Sequence, residues 1–135
     1  MQRALFLFTQ DREMAKDAVA EAFAQALGRG EAVRDVRRWV WRAAFRIASG
    51  EMKKIRRTSH ALPERTYETP EPLLDLTRAL ARLSPKQRAS VILHHYAGYP
   101  AREVARIIGS TPVAVAVHLS QGRRRLRGLL EDTDA

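Results

Sequence analysis

The sequence predicts an all-helical protein made of two small helical domains, the second of which is a helix-turn-helix. Apolar residues recur at spacings of three and four over most of the chain, which is typical of amphipathic helices. No run of alternating apolar and polar residues suggests a sheet, and the 7 glycines and 6 prolines mostly stand between the helical patterns. A chain of 135 residues with 45% hydrophobic residues can bury the core of one domain or of two very small ones.

The first predicted domain covers residues 1–57 and opens with two helices. Residues 2–9 form a short helix, and Asp11 can cap a second helix that ends near Gly28 and Gly30. The buried stripe of this second helix is expected to consist of Ala15, Ala18, Val19, Ala22, Phe23 and Ala26. Asp17 and Glu21 lie one turn apart on the opposite, solvated side.

A third helix of the first domain combines basic and aromatic residues. Asp35 can cap it, and it reaches about Arg57. Its apolar residues form two expected stripes: Val36, Val40, Ala43 and Ile47, and Trp41, Phe45, Ala48 and Met52. Basic residues project between them: Arg37, Arg38, Arg42, Arg46, Lys53 and Lys54. Since cations hold phosphates and aromatic faces stack on bases, this helix suits single-stranded or distorted DNA. Trp39 is expected in the core, whereas Trp41 suits core and base stacking equally.

An acidic linker is predicted between two basic segments. Residues 58–72 contain three prolines and little periodicity, and His60 is expected to be a solvated loop residue there. Residues 58–77 have a net charge of −3, between residues 34–57 at +7 and residues 78–111 at +5. The net charge of the whole chain, +9, favours an anionic partner, with nucleic acid first and a membrane surface second.

The second predicted domain covers residues 73–135. A leucine-rich helix begins it, and a second helix starts at Ser84, where Gln87 three residues later completes a capping box and Pro85 suits the first turn. Gly98 fits the position just past the end of that helix.

A helix-turn-helix is predicted next. One helix runs from Pro100 to Ile108 and stops at Gly109, and Thr111 caps another with Pro112 at its first position. The later helix of such a pair is offered to a DNA groove. Its expected apolar stripe is Val113, Val117 and Leu126, with Val115, Leu119 and Leu130 beside it. Its end carries Arg123, Arg124, Arg125 and Arg127. A basic helix end also suits the helix dipole, but combined with this spacing DNA binding is the better interpretation.

Several classes of protein are excluded or disfavoured. The absence of cysteine excludes disulfides, thiol catalysis and cysteine-based zinc sites. His94 and His95 are adjacent and project about 100° apart on a helix, so we expect no metal pair there. No nucleophile, base and orienting group form a recognisable set, so we expect neither an enzyme nor a cofactor. Without a membrane-spanning stretch or a signal peptide, we expect a cytoplasmic protein.

In their order and spacing, these motifs resemble bacterial RNA polymerase sigma factors of the extracytoplasmic-function (ECF) group. Residues 83–88 are similar to the entry to that family's last domain, and residues 98–109 to its helix-turn-helix core, which Arg123 to Arg127 follow as a basic end. Residues 15–23 resemble the helix that docks on the polymerase clamp. Residues 37–54 resemble the helix that engages and melts promoter DNA.

The resemblance implies a protein that is a monomer when free and binds core RNA polymerase, promoter DNA and, in regulation, an anti-sigma factor. The implied polymerase contacts are Asp17, Glu21 and Phe23, with Phe23 supporting the docking helix from the core. The implied contacts with the −10 element are Arg38, Trp41, Arg42, Arg46, Lys53 and Lys54. The implied contacts with the −35 element, read in the major groove, are Arg102, Val113, His118, Gln121, Arg123, Arg124 and Arg125. The linker would thread through the polymerase.

The recognition helix departs from the pattern of the family. Ala114, Ala116, Val117, His118 and Gln121 stand where Thr, Lys, Ser, Arg and Arg are usual. Each good bidentate base contact contributes roughly 1–3 kcal/mol of discrimination, so −35 recognition is expected to be weak or directed at an unusual sequence. Gln121 matches adenine by geometry.

Two alternative functions remain open at the level of sequence. One is a polymerase-independent helix-turn-helix repressor or activator, a class that usually dimerises to read two half-sites. The other is a degenerate sigma-like protein that binds polymerase or an anti-sigma protein without reading promoters, which the alanine-rich recognition helix favours.

Overall fold

A computed structural model describes residues 1–58 and 71–134, and within these ranges the chain forms seven α-helices and no strand. They are α1 (Gln2–Thr9), α2 (Arg12–Arg29), α3 (Val36–Thr58), α4 (Glu71–Ala81), α5 (Pro85–Val91), α6 (Ala101–Ile108) and α7 (Pro112–Asp134). The predicted all-helical fold is confirmed. Most of the predicted linker, with His60, lies outside the described residues, and no helix within them is long and apolar enough to span a bilayer.

Side-chain caps fix the helix starts where the sequence predicts them. Each cap accepts a hydrogen bond from a backbone N–H at 3.1 or 3.2 Å, and the capping residues are Asp11, Asp35, Ser84 and Thr111. At Ser84 the capping box is complete, because its own N–H donates to Gln87 Oε1. Such caps typically stabilise a helix by about 1 kcal/mol each. After α5 the chain continues as a π-helical turn, Ile92–Tyr96, before Gly98.

The N-terminal module consists of α1, α2 and α3 around Phe8 and Phe45, whose ring centroids are 4.9 Å apart. The predicted buried stripe of α2 is confirmed except for Phe23, whose core placement is wrong, since the side chain is 47% exposed. Ala22 stands at the centre of the stripe and is fully buried, so its neighbour is rotated about 100° away from the core. Val36, predicted on the buried face of α3, is also exposed.

The C-terminal module consists of α4 to α7. In α7 the buried residues are Val115 and Leu119, whereas Val113 and Val117 are 76% and 48% exposed. Of the predicted apolar residues of this helix, Val113 and Val117 were therefore placed on the wrong side, whereas Leu126 packs against the core as predicted. The reason is that α7 contacts α5 and α6 through one narrow face, which continues at Gly122.

The two modules pack against each other through one continuous core. Helix α3 lies against α6, and α1 contacts α4, α5 and the π-helical turn. We call this packing the closed arrangement.

Glycines in two helices give opposite expectations for the same substitution. Gly50 in α3 has open space where a Cβ would stand, so Gly50→Ala should stabilise the protein by roughly 0.5–1 kcal/mol. At Gly122 in α7 a Cβ would lie 2.9 Å from Cγ2 of the buried Val91, and such overpacking typically costs about 1–3 kcal/mol, so we expect no gain or a loss. Thermal unfolding measures both. An equal rise in Tm for the two variants would contradict the close approach of α5 and α7.

Candidate nucleic-acid interface

The helix-turn-helix presents an outward face on α7. Gly109 ends α6 in a left-handed conformation with φ of 68°, and Thr111 Oγ1 accepts the Ala114 N–H at the start of α7. The exposed residues of the first turns are Val113, Ala116, Val117, Ser120 and Gln121. The exposed residues that follow are Arg123, Arg124, Arg125 and Arg127. An α-helix of this kind fits the major groove of DNA, and its arginines can reach phosphates.

Two other candidate −35 residues lie to the sides of this face. Arg102 is exposed on α6. His118 is half-buried and lines a cleft toward α3, so it stands apart from the outward stripe of α7. Gln121 is held in place, because its Oε1 accepts a hydrogen bond from Gln87 Nε2 at 3.2 Å.

Helix α3 carries a second basic surface. Its exposed candidate residues for −10 DNA are Arg42, Arg46, Lys53 and Lys54. Lys54 Nζ lies 3.2 Å from Glu51 Oε1, a contact between exposed groups that contributes little to stability. The surface can therefore contact phosphates along several turns of α3.

Two candidate −10 residues contact the C-terminal module. Arg38 Nε lies 2.8 Å from Glu103 Oε2, an ion pair in which the N–H does not point directly at the oxygen. Trp41 is only 6% exposed, and its ring packs against Phe45 at 6.1 Å and edge-on against Tyr99 at 5.7 Å. In the closed arrangement Trp41 belongs to the core and cannot stack on a base.

Trp39 is predicted in the core, but it is only half-buried and packs against the outside of the core. The Arg29 guanidinium lies 5.4 Å from its ring centroid, an arrangement typical of a cation–π contact.

A cleft of about 670 Å³ separates α3 from the C-terminal module. Its apolar wall includes Phe8, Phe45, Met52 and Ile107, and its basic residues are Arg46, Lys53, Arg56, Lys86 and His118. None of the described residues that line it is acidic. The cleft therefore suits an anionic occupant.

The role of Arg88 is not predictable from its local sequence. This side chain is 7% exposed and donates hydrogen bonds to the carbonyl oxygens of Phe8, Leu80, Ala81 and Leu83 at 2.6–3.3 Å. Burial lowers the pKa of Arg88 to about 10, and the charge of Arg56 adds to this effect, so the group stays protonated at neutral pH. The arginine satisfies carbonyls at the ends of α1 and α4 and thereby joins the two modules. The one feature of the sequence that indicates burial of Arg88 is its position directly before the buried residues 89–93.

The candidate polymerase contacts lie on the outer side of α2. Asp17 and Glu21 are exposed, and Glu21 Oε1 accepts a hydrogen bond from Gln25 Nε2 at 3.0 Å. Phe23 and Leu27, one turn apart, are 47% and 83% exposed. The surface of α2 thus has exposed apolar side chains with acidic side chains beside them, an arrangement compatible with the apolar core and polar rim of a protein interface.

The two adjacent histidines belong to the π-helical turn. Their ring centroids are 4.8 Å apart, and His94 Nδ1 lies 2.7 Å from the Tyr99 carbonyl oxygen, to which it can donate. Burial lowers the pKa of His95, with smaller effects from His94 and Arg123. Among the described residues, no group of three or more His, Asp or Glu side chains is arranged to hold a metal ion.

Residues 73–126 match the family described as Sigma-70, region 4. This segment is therefore similar to sigma-70 region 4. The matched residues include most of α4, all of α5 and α6 and more than half of α7, so they include the turn and the first part of the last helix of the helix-turn-helix.

The likeness in fold extends beyond region 4 to nearly the whole chain. Seven chains of solved structures match, among them the sigma factor RpoE in complex with the anti-sigma factor NepR from Bartonella quintana. The TM-score is 0.80 at 22% identity, over 96% of this chain and 89% of that chain. No curated protein sequence matches. The predicted resemblance to ECF sigma factors is confirmed by the region 4 match and by a fold that both modules share.

Proposed function

We propose that the protein is a sigma factor that binds core RNA polymerase and directs it to promoters through −10 and −35 DNA. The observation that carries this proposal is the region 4 match on a helix-turn-helix whose last helix is exposed and basic. A second basic helix, α3, stands in the other module of the same fold. Two DNA-facing surfaces on one chain favour promoter recognition over a single-site regulator.

The proposed roles follow the two modules. Residues 1–57 contact the polymerase clamp and −10 DNA, residues 73–135 contact −35 DNA, and residues 58–72 connect them. The polymerase performs the chemistry, so the chain itself is not an enzyme. Such a protein acts in the cytoplasm, where polymerase and chromosome are.

Reading the −10 element requires the modules to separate. Trp41 is buried and becomes available only when α6 leaves α3, and the same movement releases the 41% exposed Arg38 side chain from Glu103. Tyr99 Oη is buried without a hydrogen-bond partner among the described residues, and such a group typically costs about 1–3 kcal/mol. This cost lowers the free energy needed for opening.

An anti-sigma protein is the proposed regulator. The similar RpoE structure is a complex with NepR. Here, the cleft beside α3 offers basic and apolar groups to an acidic segment of such a partner.

Reversing the acidic charges on α2 should weaken polymerase binding. The full chain is mixed with bacterial core RNA polymerase at micromolar concentration and separated by gel filtration, and we expect the two to co-elute. The double variant Asp17→Arg/Glu21→Arg should bind at least tenfold more weakly, because like-charge contacts in an interface cost several kcal/mol. Glu31→Arg, an exposed change in the turn after α2, is the matched control and should co-elute normally.

A run-off transcription assay then separates an active sigma factor from a degenerate one. Promoter-specific transcripts are expected only when core enzyme and the chain are both present. A folded wild-type chain that elutes apart from the polymerase would reject the proposal in favour of a free-standing regulator.

A further inference from the structure

The first two turns of α7 expose an apolar stripe. Val113 is 76% exposed and Val117 is 48% exposed, and Ala116 lies beside them on the same face. The exposed residues from 113 to 117 include no charged or hydrogen-bonding side chain. A recognition helix with such a start cannot read the donors and acceptors of base edges there.

The exposed valines do not serve the packing of the chain itself. Val115 and Leu119, on the other face of α7, are the buried residues that hold the helix against its module. The outward stripe continues four and seven residues after Val117 to Gln121 and Arg124, with exposed arginines on either side. An apolar stripe that runs directly into a cationic end complements DNA, in which base edges lie between two rows of phosphates.

One group in the major groove is apolar, namely the C5 methyl group of thymine. Small aliphatic side chains are suited to this methyl, which cytosine and the purines do not offer. Val113 and Val117 are separated by about 6 Å along the helix axis, roughly two base-pair steps of 3.4 Å. The two side chains can therefore reach methyl groups on neighbouring or next-neighbouring base pairs.

We infer that Val113 and Val117 are specificity-determining residues that select thymine methyl groups in the −35 element. Gln121 adds a directional contact, because Gln87 fixes its amide and leaves its Nε2 hydrogens free to donate to a purine N7 or a thymine O4. The target is thus an A·T-containing element, read through methyl groups rather than through arginine–guanine pairs. This inference rests on the proposed function, in which α7 enters the major groove.

Single-atom changes in the DNA test this inference. Binding sites are first selected from random duplexes by the full chain, alone and with core RNA polymerase. Each selected thymine is then replaced by deoxyuracil, which removes the methyl group and keeps the base-pairing edge. We expect binding to weaken about fourfold for each contacted methyl, which corresponds to the burial of one apolar carbon. We call the affinity for the thymine site divided by the affinity for the uracil site the thymine-to-uracil ratio. The double variant Val113→Ala/Val117→Ala should reduce this ratio toward one.

Val36→Ala, which shortens an exposed valine on α3, is the control and should leave the thymine-to-uracil ratio unchanged. The inference is overturned if selected sites lack thymine, if uracil binds as well as thymine, or if the double variant keeps the discrimination. Equal affinity for thymine and uracil sites would instead indicate that the exposed valines of α7 contact a protein partner. A chain that discriminates thymine from uracil but does not bind polymerase would contradict the proposed function alone. A chain that binds polymerase but does not discriminate thymine from uracil would contradict this inference alone.

Discussion

Replacing Arg88 by methionine is expected to lower the free energy of unfolding by about 3 kcal/mol, a large fraction of the 5–15 kcal/mol typical of a folded domain. The guanidinium donates to four backbone carbonyls at the ends of α1 and α4, and methionine of similar length donates to none. Carbonyls at a helix C-terminus carry partial negative charge, which explains why this buried cation needs no carboxylate partner. Urea unfolding followed by circular dichroism measures the loss.

Two further variants test whether geometry or charge matters at this position. Arg88→Lys keeps the charge but replaces the planar fork by a single ammonium, so it should recover only a part of the lost stability. Arg82→Met removes an exposed arginine of the same module and should change the unfolding free energy by less than about 0.5 kcal/mol. If the urea midpoint of Arg88→Met equals that of the wild type, the arginine does not join the modules as described.

Glu103→Arg is expected to open the closed arrangement. The substitution places a cation beside Arg38 and Arg106, whose nitrogens now lie 2.8 and 3.5 Å from the carboxylate oxygens of Glu103. Repulsion of roughly 2 kcal/mol shifts the equilibrium between closed and open forms about thirtyfold. Trp41 then becomes exposed, so the tryptophan emission should shift to longer wavelength. Binding to single-stranded −10 DNA should strengthen by a similar factor.

A charge swap gives the matched control for this prediction. Arg38→Glu/Glu103→Arg restores an ion pair of opposite orientation, so the emission of Trp41 should return toward its wild-type value. Binding to single-stranded −10 DNA should not be strengthened in this variant, because the modules are closed again and the proposed phosphate contact at Arg38 is lost. An emission spectrum that stays unchanged in Glu103→Arg would show that this ion pair does not hold the modules together.

The features predictable from the sequence are those set by neighbouring residues. Helix starts follow from caps such as Asp11 and Thr111, whose bonds reach only three residues along the chain. The turn of the helix-turn-helix follows from Gly109, whose positive φ a residue with a side chain rarely adopts. Apolar periodicity gave the helical class and the approximate bounds of the α-helices in the described ranges, but not the π-helical turn Ile92–Tyr96.

The features that could not be predicted depend on contacts between distant segments. Arg88 reaches the Phe8 carbonyl across 80 positions of sequence, and no local pattern indicates that bond. Which side of α7 is buried depends on where α5 and α6 lie, so Val113 and Val117 were assigned to the wrong face. Phe23 was misplaced because an alanine-rich stripe is already wide enough to bury α2 without it. The predicted contacts with DNA and polymerase stay predictions.

The basic surfaces of α3 and α7 have a consequence for the dependence of DNA binding on ionic strength. Each phosphate that a protein neutralises releases counterions, so the slope of log K against log salt counts those contacts. In the closed chain the exposed cations of both helices, among them Arg42 and Arg46 of α3, already contribute to this slope. Opening adds Arg38, which Glu103 otherwise neutralises, and so steepens the slope by about one contact. Salt therefore weakens the DNA binding of both forms by similar factors, and the gain in affinity on opening depends only weakly on salt.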